Sequence, residues 1–367
     1  MRINKKLWSL LPLDQIETSA QQQIFDNLKD ERLVRMAIMP DVHTGYDLPI
    51  GGVALVDGHV SPSYVGYDIG CGMCAVNTGV LATDLLPGIA EKEQLFSKIM
   101  HQIPVGMGGR HQANEYPDFK SASGDKSLTG KVNRSVREQL GTLGSGNHFI
   151  EISADQEEFC WVTVHSGSRN AGHSVGSYYM AQAKRQKDKF FALKSALGQA
   201  YLKDMTYCQE FALANRLKIV KEVLQIMGFS RPEIELIHTS SLINENHNHA
   251  EVQKDSLVLH RKGATPAMAG QLGIIPANMR DGIFVTVGLG NRDYLQSASH
   301  GAGRVMSRTE GKRKVRLDSF RETMRGIVAK VDKGTLDESP FVYKEIGLVL
   351  AAQEGVVVKV INHLRPL

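Results

Sequence analysis

From Ser174 to Phe229 the chain carries no proline, and apolar residues such as Leu193, Leu197, Tyr201, Met205 and Cys208 recur near helical spacing. Two or three helices fit that stretch. On either side the pattern changes to short β-favouring runs: Val34–Met39, Gly52–Val60, Cys160–Val164, Leu257–His260, Gly273–Ile275, Gly282–Val287 and Gly355–Ile361. Further helices are predicted over Gln15–Leu28, Leu95–Ile103 and Leu317–Val331. Arg110–Arg134 is polar and rich in Gly, Ser, Asp and Lys, and reads as a long exposed loop. Strands flank helices without a regular strand–helix–strand period. The sequence therefore predicts an α+β fold, with packed sheets surrounded by helices and a helical insertion around 174–229. With no clean linker and no internal repeat, residues 1–367 read as one domain.

A chain of 367 residues, 42% hydrophobic and 22% charged, can bury a core without staples. Its net charge of +4 is too mild to announce a nucleic-acid binder by itself. The 35 glycines and 12 prolines follow no period, which excludes collagen and coiled coil. No apolar run approaches the roughly 20 residues that cross a bilayer. Met1–Lys6 is basic and Leu7–Leu13 mostly apolar, but Asp14 and Glu17 follow at once with no cleavage-site pattern. Four cysteines (Cys71, Cys74, Cys160 and Cys208) are too few for a disulfide scaffold. A cytoplasmic protein away from membranes is expected.

Unusual polar residues gather in glycine-rich patches. Met39–Gly52 places Asp41, His43 and Asp47 in a turn-dense segment after a strand; a capped turn with a surface histidine would look the same. In Gly66–Cys74, Asp68 and Cys71 are spaced so that both can converge on one ion. Cys71-x-x-Cys74 leaves a redox pair and two inert buried cysteines open as well. Leu143–Ile152 brings Asn147 and His148 into a β-like run, and His165 stands at a predicted strand end before Ser-Gly-Ser-Arg169. Strand ends present ligands from a rigid base.

Asn244–His249 holds two histidines among amides and an acid. In Ser297–Arg304, His300 lies among small residues, and Gly301 and Gly303 leave room for backbone N–H groups to approach an anion. Arg304 to Arg316 adds six basic residues and one acid, Glu310; such a run suits phosphate, and equally a solvated face. Walker A and dinucleotide-binding patterns are missing, so a nucleotide would bind by another route.

Taken together and in this order, the patches from roughly Met39 to Tyr343 resemble the RtcB family of RNA-splicing ligases. The resemblance implies an enzyme that uses GTP and two Mn²⁺ ions to join RNA 2′,3′-cyclic phosphate or 3′-phosphate ends to 5′-hydroxyl ends. It implies that Asp68 and His148 join Cys71 on one ion, with Cys71 bridging to a second ion completed by His165 and His247. His300 matches the nucleophile that takes GMP from GTP. Asn147, Glu151, Asn248 and the loop His300, Gly301, Ala302, Gly303 match guanylate-contacting positions, and Tyr343 an aromatic that stacks on guanine. Pro276, Ala277, Asn278 and Met279 occupy a further nucleotide-binding loop. Asp41, His43, Arg169, Arg304 and Arg308 are candidate RNA or phosphate contacts. His173 and His249 fall off the ligand positions. The implied partner is RNA with broken ends, transfer or ribosomal, handled by a monomer.

Three departures bear on base selection. The family pattern Pro-Gly-Ser-Met-Gly reads Pro276-Ala-Asn-Met-Arg280 here, and a serine expected near the phosphate is Ile283. The sequence stops at His363-Leu-Arg-Pro-Leu367, short of the Lys-Gly that ends the family pattern. The resemblance is thus to a short, divergent paralogue. A metal-dependent phosphoesterase that hydrolyses cyclic phosphate without sealing is the competing class, and His300 counts against it, since hydrolysis needs no guanylylated residue. A non-catalytic RNA binder would not need the full set of metal-ligand types.

Overall fold

The alternating apolar runs pair into two larger sheets and two short ribbons, in a computed structural model that describes residues 1–106 and 115–367. The seven-stranded sheet runs in the order Leu272–Asn278, Gly282–Gly288, Val358–Pro366, Phe149–Ala154, Phe159–Ser166, Gly72–Leu81, Ile243–Asn246, and its pairings are antiparallel. The five-stranded sheet runs Leu7–Ser9, Leu33–His43, Ile50–Asp57, Leu257–Lys262, Asn248–Val252, with one parallel pair at the Leu7–Ser9 edge. Antiparallel sheets with helices set to one side make this an α+β fold.

The proline-free region becomes two helices, Arg169–Arg185 and the 31-residue Ala196–Ile226, separated by the two-residue strand Phe191–Ala192. The long helix is part of the core. Its Ile219, Val220, Val223 and Leu224 pack on Cys74, Val76, Val162 and Val164 of the seven-stranded sheet. Each such side chain removed from water contributes about 1.5–3 kcal/mol, which fixes the helix across the back of that sheet.

Three sequence expectations need correction. Of the loop predicted over Arg110–Arg134, residues 110–114 lie outside the described residues, and the helix Lys126–Gln139 begins inside the remainder. Asp125 caps it by accepting from the Leu128 N–H at 2.8 Å, and Leu128, Val132 and Val136 recur every four residues on its buried face. The long helix predicted over Leu317–Val331 stops at Thr323. Beyond it Met324, Ile327, Ala329 and Val331 wrap around Phe320, so burial outweighs local helix preference. The run Gly52–Val60 is two strands, because Gly58 (φ 59°) turns the chain between Asp57 and His59.

Candidate active site

Four neighbouring strands of the seven-stranded sheet end at the same place. Met73 pairs with His165, Gly72 with both Ser166 and Asn246, and Phe149 with His165. The register therefore sets His148, His165, Cys71 and His247 side by side along one sheet end, where strands lie about 4.8 Å apart. Asp68 reaches the row from the turn before Cys71, whose N–H donates to the Asp68 carbonyl at 3.2 Å.

The side chains close into two groups that share one sulfur: Asp68, Cys71 and His148, and Cys71, His165 and His247. His148 Nε2 is 3.1 Å from Asp68 Oδ2 and 3.4 Å from Cys71 Sγ. His165 Nε2 is 3.2 Å from the same Sγ and 3.4 Å from His247 Nε2. The Asn147 carbonyl, 2.7 Å from His165 Nδ1, must accept a proton there, which leaves the His165 Nε2 lone pair facing inward. The Leu143 carbonyl lies 3.1 Å from His148 Nδ1.

Burial pushes His165 down to about 3. Burial and the adjacent histidines drive His247 well below its ordinary range, so both imidazoles are neutral. Burial opposes ionisation of Asp68, but its contacts with His148 and Cys71 and the nearby Arg169 charge together outweigh that and hold the carboxyl below the usual range. Burial and the Asp68 charge push the Cys71 thiol up; a coordinated cation reverses this, because a ligating thiol is deprotonated outright. Inward lone pairs, a carboxylate and a thiol within 4.8 Å of one another in each group fit two cations that share a sulfur. Carboxylate, imidazole and thiol are all donor types that bind divalent first-row metal ions. Cys74 takes no part: it is unpaired and sits in the core against the long helix.

His300 arrives from the other side. The ribbon Ala264–Pro266 with Ser297–Ser299 begins where the Ala264 N–H donates to the His247 carbonyl, and it sets the His300 ring 4.8 Å from that of His247. Asp41 Oδ2 accepts from His300 Nδ1 at 2.6 Å and from the His300 backbone N–H at 3.1 Å. Asp41 is fully buried, so the RNA-facing place expected of it from sequence is not where the fold puts it. With Nδ1 donating to this carboxylate, Nε2 carries the lone pair. Lys344 props the same strand, donating to the carbonyls of Pro40 and Val42 at 3.0 and 2.9 Å.

A cavity of about 390 Å³ opens beside His148, His165 and His300, the size of a small-molecule site. Asn147, Glu151 and Tyr343 line it, as do Gly301, Ala302 and Gly303. Pro276, Ala277, Asn278 and Met279 form another part of the wall, with His43, Arg304 and Arg308. Asn248 does not line it: its amide bridges the Asp68 carbonyl and the Gly263 N–H at 3.2 and 2.7 Å. Glu151 Oε1 has no partner, and burial raises its carboxyl to about 8, so it stands there as a neutral acid. Asn278 is tied into its own turn by Asp281, and Ile283 packs in the core with Met73 and Trp161.

The expected phosphate forks are engaged elsewhere. Arg304 contacts the Asp337 carbonyl at 2.6 Å and Glu338 at 3.4 Å, and lies over the Tyr343 ring. Arg308 pairs with Asp337 and Glu338. Arg169 sits behind His148, its Nη1 3.2 Å from Nδ1, in space that only a glycine at 144 leaves open. Sequence reasoning missed the acids Asp337 and Glu338, the link from Asp41 to His300, and Arg216. Arg216 was detectable as a charged residue on the apolar stripe between Ala212 and Ile219.

A family model described as tRNA-splicing ligase RtcB matches residues 30–133 and 118–367. The RNA-splicing ligase RtcB of Escherichia coli (strain K12) is 35% identical across 95% of this chain and 93% of its own length. The tRNA-splicing ligases RtcB of Archaeoglobus fulgidus and Thermococcus kodakarensis are 28% and 27% identical, each over 100% of this chain.

Proposed function

This chain belongs to the RtcB family, and from that premise we propose that it is a single-domain, GTP-dependent RNA ligase joining 2′,3′-cyclic phosphate or 3′-phosphate ends to 5′-hydroxyl ends. The observation that carries the reading is the pairing of His300, oriented by Asp41, with a five-residue donor ring at its side.

His300 Nε2 attacks the α-phosphorus of GTP. A nitrogen–phosphorus bond forms, the bond to the β-phosphate oxygen breaks, and pyrophosphate leaves with that electron pair. Asp41 keeps the Nδ1 proton in place and stabilises the charge that grows on the ring, the part a buried aspartate plays beside a reacting imidazole. Asp68, Cys71 and His148 would hold one Mn²⁺, and Cys71, His165 and His247 a second. The chemistry such ions supply when bound is neutralisation of triphosphate charge. Glu151, as a neutral acid, offers a proton to a base acceptor in the cavity, and Tyr343 offers a ring face for stacking. His300 then releases GMP to an RNA 3′-phosphate, and the 5′-hydroxyl of the second end displaces GMP to seal the strand.

Incubation with α-labelled GTP and Mn²⁺ should give a covalent, acid-labile label on the wild-type chain and none on His300→Ala, which retains its metal. Label on both, or a His300→Ala variant that still seals cyclic-phosphate ends, would overturn the mechanism.

A further inference from the structure

Among the described residues Arg216 is the largest side chain wholly removed from solvent, and no carboxylate of theirs hydrogen-bonds to it. Its guanidinium instead meets four neutral oxygens. Nε donates to Asn244 Oδ1 at 2.8 Å and Nη2 to Asn246 Oδ1 at 2.7 Å. Nη1 donates to the carbonyls of Gly70 and Ser166 at 2.8 and 3.0 Å. Three of these partners adjoin the donor ring: Gly70 precedes Cys71, Ser166 follows His165, and Asn246 precedes His247.

Asn215, the preceding helical residue, continues the pattern. Its Nδ2 reaches the Thr142 carbonyl at 3.1 Å and Ser166 Oγ at 3.2 Å, while its Oδ1 accepts from the Gly141 N–H at 2.7 Å. Ser166 Oγ in turn donates at 2.7 Å to the Leu143 carbonyl, the group that faces His148 Nδ1. One turn of the long helix thus touches backbone carbonyls beside Cys71 and His165, the side chain beside His247 and, through Ser166, the carbonyl that faces His148.

We propose that Arg216, seconded by Asn215, is a positioning residue that sets the strand ends carrying Cys71, His165 and His247 at the separation two divalent cations require. The inference rests on the metal reading above. A buried guanidinium without an acid partner costs the fold free energy that an apolar residue of like volume would not. Its charge also repels a cation placed in the ring. Geometry is the contribution assigned to it: a planar fork with donors aimed at four fixed acceptors, which a lysine cannot reproduce.

The repulsion makes the test one of sign. Mn²⁺ is titrated calorimetrically into the full-length, metal-stripped protein as wild type, Arg216→Met, Arg216→Lys and Ile24→Ala. Ile24 is buried in the N-terminal core cluster and serves as a stability control. If Arg216 positions the ring, both Arg216 variants bind Mn²⁺ about 10–100-fold more weakly, lysine gives no rescue, and Ile24→Ala binds as wild type. Equal or tighter binding by Arg216→Met overturns the inference, as does equal weakening in an Ile24→Ala protein of matched Tm. Should Arg216→Met not fold, Asn246→Ala and Asn244→Ala decide by removing single arms of the fork: weaker Mn²⁺ binding supports the inference, and wild-type affinity in both overturns it. A wild-type protein that takes up no Mn²⁺ overturns the metal reading, and this inference falls with it.

Discussion

The two walls of the cavity are built on opposite principles. On one, the donor ring and His300 stand at strand ends whose register is fixed by backbone pairing, with buried acceptors turned toward one another. On the other, the segment from Arg304 to Tyr343 is short helices and turns, held by Arg304, Arg308 and Lys312 against Asp337 and Glu338. The first wall holds Glu151 Oε1, a polar atom with no partner among the described residues. In the second, the cations have already found their anions. An unmet polar group facing a cavity can serve a ligand there, whereas a run of basic residues gives its own acids first claim.

The contrast breaks most sharply at Asp41. Asp41→Asn should slow formation of the GMP adduct about 10²–10⁴-fold, the cost of losing the tautomer control an aspartate exerts on a reacting imidazole. Mn²⁺ content should be unchanged; a rate within threefold of wild type would mean that His300 orients itself. At the shared sulfur, Cys71→Ser should lower Mn²⁺ occupancy at both sites together, by roughly a hundredfold in affinity. Cys74→Ala should cost only about 1 kcal/mol of stability and leave metal alone. Loss of a single ion from Cys71→Ser, read by metal analysis, would contradict the shared ligand.

Glu151 sharpens the comparison through pH. Burial lifts its carboxyl from the ordinary 4.5 to about 8 in the folded protein, so between those values the unfolded chain is ionised and the native site is not. The native state binds the extra proton there, and stability falls as pH rises through that window. Glu151→Gln should match wild type near pH 5 and exceed its Tm by roughly 2–4 °C at pH 8. An equal Tm difference at both pH values would show that the carboxyl is ionised in the fold. The smallest effect belongs to the basic wall. Neutralising Lys312, Arg313 and Lys314 together would flatten the salt dependence of RNA binding by about 2 if all three met phosphates. Lys312 already faces Asp337 and Lys314 faces Glu310, so a change of about 0.7, one contact from Arg313, is expected instead.

Sequence alone determined the mixture of helix and strand and the glycine-rich patches that hold Asp68, Cys71, His148, His165, His247 and His300. Each patch is a local signal that left bland readings open, and it was the resemblance of all of them in order that selected these six residues. The capped, four-residue apolar repeat from Leu128 to Val136 reads as loop in the sequence, because the polar residues around it hide it. What the tertiary structure decided is everything that depends on pairing across long separations. Backbone register, not motif spacing, puts His148 beside His165 and Cys71 beside His247. Folding buries Asp41 under a histidine 259 residues away, ends the helix at Thr323 around Phe320, and hands Arg304 and Arg308 to acids about thirty positions on. Arg216 is the extreme case. A lone arginine on an apolar stripe says only that something buried must accept its protons, and only the fold supplies the four oxygens that do.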